Sequence, residues 1–159
     1  LIANLPYSIS TLTIIKFLKT DEIKQMYCML QKEVVKRLMS KPSRHEYNAF
    51  TCIFQHQAEC TNLLDVSANC FEPAPKVDSN FVLLNKNPNI KFDFQYDKFL
   101  KLAFLAKRKT LNNNLKHTFT QQQIESMFKK FKLDPMIRIE AIDQKTIHKI
   151  YMYLTNQEK

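Results

Sequence analysis

The sequence predicts an α/β fold: the later half of a doubly wound sheet, followed by a small all-α domain. Three observations predict it. In the first half, short apolar runs alternate with amphipathic stretches in the order strand, helix, strand, helix. A polar stretch at residues 85–89, marked by Pro88, then breaks the pattern. Beyond it, apolar residues recur only at helical spacing.

The elements follow in order. Leu1-Ile2-Ala3 reads as the end of a buried strand that opens into a sharp turn, Asn4-Leu5-Pro6-Tyr7. Pro6 fixes its own φ and pushes Leu5 away from helical geometry. The bend brings together an amide, two backbone carbonyls and a phenol ring. Such a set suits a flat, amino-bearing ring held edge-on to two acceptors and face-on to an aromatic. Taken alone, Asn and Pro in a turn are ordinary turn chemistry.

Ser10 is placed to cap a helix running to about Lys19, with Leu12, Ile15 and Leu18 inward. Met26-Tyr27-Cys28-Met29-Leu30 is a continuous apolar run, as in a parallel strand buried on both faces. Residues 32–39 read as a helix that stops before Pro42, with Val34, Val35, Leu38 and Met39 on one side. A basic loop spans 41–47. Residues 49–57 and 59–66 look like two strands of a hairpin. A Pro-punctuated loop covers 71–79, and Phe81-Val82-Leu83-Leu84 is a last strand.

The tail is helical. Tyr96, Phe99, Leu100, Ala103 and Phe104 form one apolar stripe. Ile124, Met127, Phe128 and Phe131 form a second, and Ile147, Ile150, Tyr151 and Leu154 a third, with Asp143 as the cap of the last helix. These rings are core residues by their spacing. The predicted division is 1–85 for the sheet domain, 86–95 for a linker and 96–159 for the helical domain.

Composition narrows the class. The 159 residues, 45% hydrophobic, are enough for one substantial core. There is no Gly, where about 7% is usual. The chain begins at Leu1, inside a predicted strand, so it reads as an N-terminally truncated piece. Cys28, Cys52, Cys60 and Cys70 form no C-x-x-C pair and read as reduced thiols of a cytosol-like compartment. The four His lack metal-ligand spacing, so no metal is expected. No apolar run approaches a membrane span. The net charge is +9, and it is uneven: residues 96–159 carry 13 basic and 6 acidic residues. That bias points to a polyanionic partner, most simply nucleic acid. The segment Lys107-Arg108-Lys109-Thr110, with Asn112, Asn113, Asn114 and Lys116, offers charge and amide donors suited to phosphates.

A second stretch, Phe71-Glu72-Pro73-Ala74-Pro75-Lys76-Val77-Asp78-Ser79, is a stiff loop that presents Phe71. Together with Asn4-Leu5-Pro6-Tyr7 it resembles the ribosomal RNA adenine N6-dimethyltransferase family, and within it the small-subunit type. Three further stretches agree: Met29-Leu30-Gln31-Lys32-Glu33-Val34-Val35-Lys36-Arg37-Leu38, Lys107-Arg108-Lys109-Thr110-Leu111, and Leu133-Asp134-Pro135 through Arg138. The resemblance runs in order over essentially the whole chain.

The resemblance implies a Rossmann-like methyltransferase sheet and S-adenosylmethionine as cofactor. It also implies small-subunit ribosomal RNA, within the small ribosomal subunit, as partner. Asn4, Leu5, Pro6 and Tyr7 then form the target-adenine site. The Asn4 side-chain oxygen and a carbonyl of Leu5 or Pro6 accept the two amino hydrogens. Tyr7 and Phe71 stack on the base, and Asn4 also meets the methyl end of the cofactor. Lys107, Arg108, Lys109, Asn113 and Lys116 contact RNA. The family's Gly-rich cofactor loop would precede Leu1, so the chain by itself is expected to be inactive. At Asn48, where the family commonly has Gly after the Tyr of the basic loop, Asn is expected to keep the turn by tolerating positive φ. The implied protein is a cytoplasmic monomer, or an organellar one, without a membrane. Competing readings are the large-subunit resistance methylases, the related mitochondrial transcription factors, and an assembly factor that binds RNA without methylating it.

Overall fold

The computed structural model describes residues 1–156. These divide into two compact units. The first holds residues 1–40 and 57–92, and the second 41–56 and 93 onward. The predicted boundary keeps 41–56 with the sheet, whereas the structure groups it with the helices.

The first unit is built on a four-stranded sheet in the order β1-β2-β4-β3, from β1 (Ile2–Asn4), β2 (Gln25–Gln31), β3 (Ala58–Val66) and β4 (Ser79–Lys86). β1 and β2 are parallel, with Asn4 opposite Met29. β4 is antiparallel to both β2 and β3, so the sheet is mixed. Its two helices are α1 (Ser10–Lys19) and α2 (Lys32–Leu38). α2 lies against β2, β3 and β4.

β2 is buried mainly on one face. Met26, Cys28 and Leu30 are inaccessible, while Tyr27 and Met29 between them are half-buried. The apolar run therefore conceals the ordinary period of a one-sided strand. In α1 the inward face is Ser10, Ile14, Phe17 and Leu18, and Leu12 is 70% exposed. The predicted stripe of Leu12, Ile15 and Leu18 is off by part of a turn. Ser10 is not the cap, since its hydroxyl donates back to the Pro6 carbonyl at 3.2 Å.

The C-terminus of α1 is closed by a residue distant in sequence. Lys86 is buried, and its ammonium donates to the Phe17 carbonyl at 3.0 Å and to that of Thr20. It also lies 5.0 Å from the centre of the Phe17 ring. A cation on the last carbonyls of a helix satisfies orphan acceptors and opposes the helix dipole.

The second unit contains α3 up to His56 (the helix spans Ala49–Gln57), α4 (Phe94–Ala103), α5 (Leu111–Leu115), α6 (Gln121–Phe131) and α7 (Gln144–Asn156). The predicted tail stripes supply its core, with Tyr96, Leu100, Met127, Ile147, Ile150 and Leu154 all inaccessible, although Phe128 and Phe131 of the second stripe are only half-buried. Residues 49–57 are a helix and not the predicted strand. The run is rich in β-branched and aromatic residues, but Asn48 overrides that preference. Asn48 Oδ1 accepts from the Thr51 N–H at 3.2 Å, and Thr51 Oγ1 accepts from the Asn48 N–H at 3.3 Å. This reciprocal cap nucleates the helix. Asn48 is thus a cap; the positive φ of this loop falls at Ser43, at 64°.

Around Tyr96, the rings of His56, His148 and Tyr151 lie 5.0, 4.9 and 5.1 Å away, centre to centre. The two imidazoles stack at 4.1 Å. Gln144 Nε2 lies 3.1 Å from His56 Nδ1, within hydrogen-bond distance. Burial, then the neighbouring His148, holds the His56 pKa down at about 4, against a weaker upward pull from Asp93. Burial lowers that of His148 as well.

Two outcomes follow from this packing. Lys86→Met leaves the Thr20 carbonyl without its donor, and that of Phe17 with the Thr20 N–H alone, and should cost about 1–3 kcal/mol, read as a lower urea midpoint. His56 is neutral when folded, but the unfolded chain takes up its proton near pH 6.5. Stability should therefore fall as pH drops from about 6.5 towards 4. His56→Phe should flatten that part of a melting-temperature profile.

Candidate functional site

Asn4 ends β1, at the carboxyl end of the parallel pair, where open α/β sheets place ligands. Its side chain is exposed, while Leu5 beside it is buried and pins the turn. Pro6 has φ −56° and ψ 134°, so the chain stays extended before Tyr7 opens a single 3-10 turn over Tyr7–Ile9. The Pro6 carbonyl accepts from the Ile9 N–H at 3.1 Å and from Ser10 Oγ at 3.2 Å. Both of its lone pairs are engaged. Among the described residues, neither the Asn4 side chain nor the Leu5 carbonyl has a hydrogen-bond partner. Of the two carbonyls left open by the sequence, Leu5 is the one free to receive a ligand.

Tyr7 is half-buried, and its phenol oxygen lies 2.8 Å from Ser79 Oγ. Ser79 is the first residue of β4 and is buried. The sequence assigns Ser79 no role, because nothing local pairs residues 7 and 79.

Phe71 follows a 3-10 turn over Ala68–Cys70, which Ser67 caps by accepting from the Asn69 N–H. The Phe71 N–H donates to the Ala68 carbonyl at 3.2 Å. The Ala68 N–H in turn donates to Asp78 Oδ1 at 3.2 Å. Asp78 Oδ2 lies 3.6 Å from Lys32 Nζ, and the Asp78 carbonyl accepts from the Lys32 N–H at 3.0 Å. The loop that carries Phe71 is thus tied to both β4 and the start of α2. The Glu72–Pro73 peptide within it is cis.

In the second unit, Lys107, Arg108 and Lys109 lie in the turns between α4 and α5. Arg108, Lys109, Asn113 and Lys116 are exposed. Lys107 is half-buried, and its ammonium donates to the His45 carbonyl at 3.0 Å. Thr110 caps α5, accepting from the Asn113 N–H at 3.4 Å and from Asn113 Nδ2 at 3.0 Å. Asn114 does not belong to this surface. It is buried, and its amide donates to the carbonyls of Ala103 and Ala106, closing the end of α4. The basic loop at 41–47 joins the same unit. The Ser43 N–H donates to the Glu140 carbonyl at 2.7 Å, and the Tyr47 hydroxyl to that of Ile142 at 3.0 Å. Exposed Arg44 lies on this loop. Among the described residues, no group of three or more His, Cys, Asp or Glu side chains could hold a metal ion, and no helix is long and apolar enough to cross a membrane.

The family model for ribosomal RNA adenine dimethylase matches residues 1–156. The chain belongs to this dimethylase family. Its relatives in the family include the ribosomal RNA small subunit methyltransferase A of Malacoplasma penetrans, 40% identical over 148 residues, covering 91% of this chain and 54% of the relative. The protein of that name from Mycoplasma genitalium is 35% identical, covering 98% and 60%. The chain thus spans a little over half the length of these relatives. The fold agrees with that of the dimethylases. A dimethyladenosine transferase from Plasmodium falciparum superposes with a TM-score of 0.79 at 23% identity, covering 99% of this chain and 66% of that one. A 23S rRNA methyltransferase, ErmE, gives 0.73 at 16% identity, covering 97% and 64%. The sheet unit is accordingly part of an α/β methyltransferase fold.

Proposed function

We propose that this chain forms the target-base site and an RNA-docking unit of an enzyme that transfers methyl groups from S-adenosylmethionine to N6 of two adjacent adenosines in small-subunit ribosomal RNA. The observation that carries the reading is the pair of open acceptors, Asn4 Oδ1 and the Leu5 carbonyl, at the end of β1 beside the tethered Tyr7 ring. The names of the relatives favour the enzyme over a binding-only protein.

An exocyclic adenine nitrogen is a poor nucleophile, because its lone pair is delocalised into the ring. Two acceptors that take its two N–H bonds favour a pyramidal nitrogen and aim the lone pair out of the ring plane. Asn4 Oδ1 and the Leu5 carbonyl do this; Pro6 shapes the turn and supplies no acceptor. When bound, S-adenosylmethionine supplies the methyl group as a sulfonium, and Asn4 is the residue here placed to meet that end. The work of these residues is positioning and fixed electrostatics. Tyr7 and Phe71 stack on the extruded base and offset the few kcal/mol that extrusion costs.

On the helical unit, Arg108, Lys109, Asn113 and Lys116 contact phosphates, where charge sets affinity and register but not sequence. Lys107 has a second task, since its ammonium also holds the 41–47 loop. The reading is of a monomer acting on the small ribosomal subunit in the cytoplasm.

The test is methyl transfer from labelled S-adenosylmethionine to unmethylated small ribosomal subunits, with the protein at its natural length beside a full-length relative. Label on the paired adenosines supports the reading; its absence from a folded, cofactor-bound protein overturns it. Asn4→Ala should remove most transfer and leave subunit affinity nearly unchanged. Replacing Arg108 and Lys109 with Ala should lower the slope of log affinity against log salt by about 2, roughly one for each phosphate no longer neutralised. An unchanged slope would place the docking surface elsewhere.

A further inference from the structure

We infer that Asp78 and Ser79 are positioning residues that set both aromatic walls of the target-base site from a single point in the chain. This deepens the proposed function and rests on it.

Ser79 is the more rigid of the two. It is 1% exposed, and β4 is held on both sides there, by Gln31 of β2 and by Val66 of β3. A hydroxyl on that frame has little freedom. Its oxygen lies 2.8 Å from the Tyr7 phenol oxygen, at the far end of the ring from the backbone. A ring held at the backbone and again at its tip cannot swing about χ1 or tilt. That suits a surface on which a base must lie flat.

Asp78 does the same for the other wall by a different route. Its Oδ1 accepts from the Ala68 N–H, and the Ala68 carbonyl accepts from the Phe71 N–H. Phe71 is thus two hydrogen bonds from Asp78, across a loop that carries two prolines. The ion pair of Asp78 with Lys32 is not the main contribution. Both side chains are about half exposed, at 50% and 48%, and the separation is 3.6 Å. Such pairs contribute little in water. The hydrogen bond that Oδ1 accepts from the Ala68 N–H is what orders the turn.

Neither residue needs to touch RNA. Their effect is on the geometry of the bound base, so it should appear in turnover, while subunit affinity, set largely by phosphate contacts, stays constant. The assay is single-turnover methyl transfer to unmethylated small ribosomal subunits with the protein at its natural length. Ser79→Ala and Tyr7→Phe should each lower the rate about tenfold, with half-saturating subunit concentration within about twofold. The double variant should be no slower than either, because both remove one hydrogen bond. Asp78→Asn keeps an acceptor and should stay within about twofold of wild type, whereas Asp78→Ala should fall about tenfold.

Multiplying losses in the double variant would overturn the role of Ser79. Equal losses in Asp78→Asn and Asp78→Ala would overturn that of Asp78. Should Ser79→Ala not fold, Tyr7→Phe still removes the same bond, and full activity in it refutes the tether. Asn4→Ala run alongside separates the two levels. If Asn4→Ala abolishes transfer while the Ser79 and Asp78 variants are normal, the positioning role fails and the site stands. If Asn4→Ala is fully active, the target-base site itself fails.

Discussion

Two hydrogen bonds to the Pro6 carbonyl hold the turn on which the candidate site depends. The donors are the Ile9 N–H and Ser10 Oγ. They let β1 stop at Asn4 and α1 begin at Ser10 in a chain with no glycine. Pro6 lacks an N–H, and its only acceptor is used twice. The acceptors left open at the strand end are therefore the carbonyl of Leu5 and the side-chain amide of Asn4. A turn held this way needs no ligand to order it, which lowers the cost of aligning a reacting group.

The same economy recurs where the chain needs a left-handed residue. α6 ends on Lys132, with φ 51° and ψ 44°. The Leu133 N–H reaches back to the Phe128 carbonyl at 3.0 Å, as in a Schellman closure, with Lys at a position usually given to glycine. Lys86 on the end of α1 and Asn114 on the end of α4 serve the same need for orphan carbonyls. Several polar side chains that look free on a sequence are helix closures.

The helical unit combines an aromatic interior with a basic exterior. Tyr96 and its ring neighbours supply the buried area, and the protonation of His56 is suppressed by that burial. Among the unit's exposed cations, Arg108 and Lys109 sit on the turns between α4 and α5, and Lys41 and Arg44 on the loop at 41–47. The Lys107 bond to His45 joins these two segments. Because the loop is also tied through Ser43 and Tyr47, its charges are carried on a fixed frame, and an ordered cation loses less entropy on meeting a phosphate.

Much was legible from residues alone. The Asn4 to Tyr7 turn, the Phe71 loop and the helical tail stripes are short-range features, and short-range rules find them. The misread elements have physical causes. Residues 49–57 look like a strand by composition, and one reciprocal cap between Asn48 and Thr51 makes them a helix. The inward face of α1 depends on what it packs against, which periodicity leaves ambiguous among Leu12, Ile14, Ile15 and Phe17. By itself the sequence determined the family, the turn chemistry and the basic bias of the helical tail, because these lie in contiguous residues. Only the tertiary structure decided which carbonyl stays open, that Ser79 tethers Tyr7, and that 41–56 belongs with the helices. Those are contacts between residues far apart in the chain, and no local pattern encodes them.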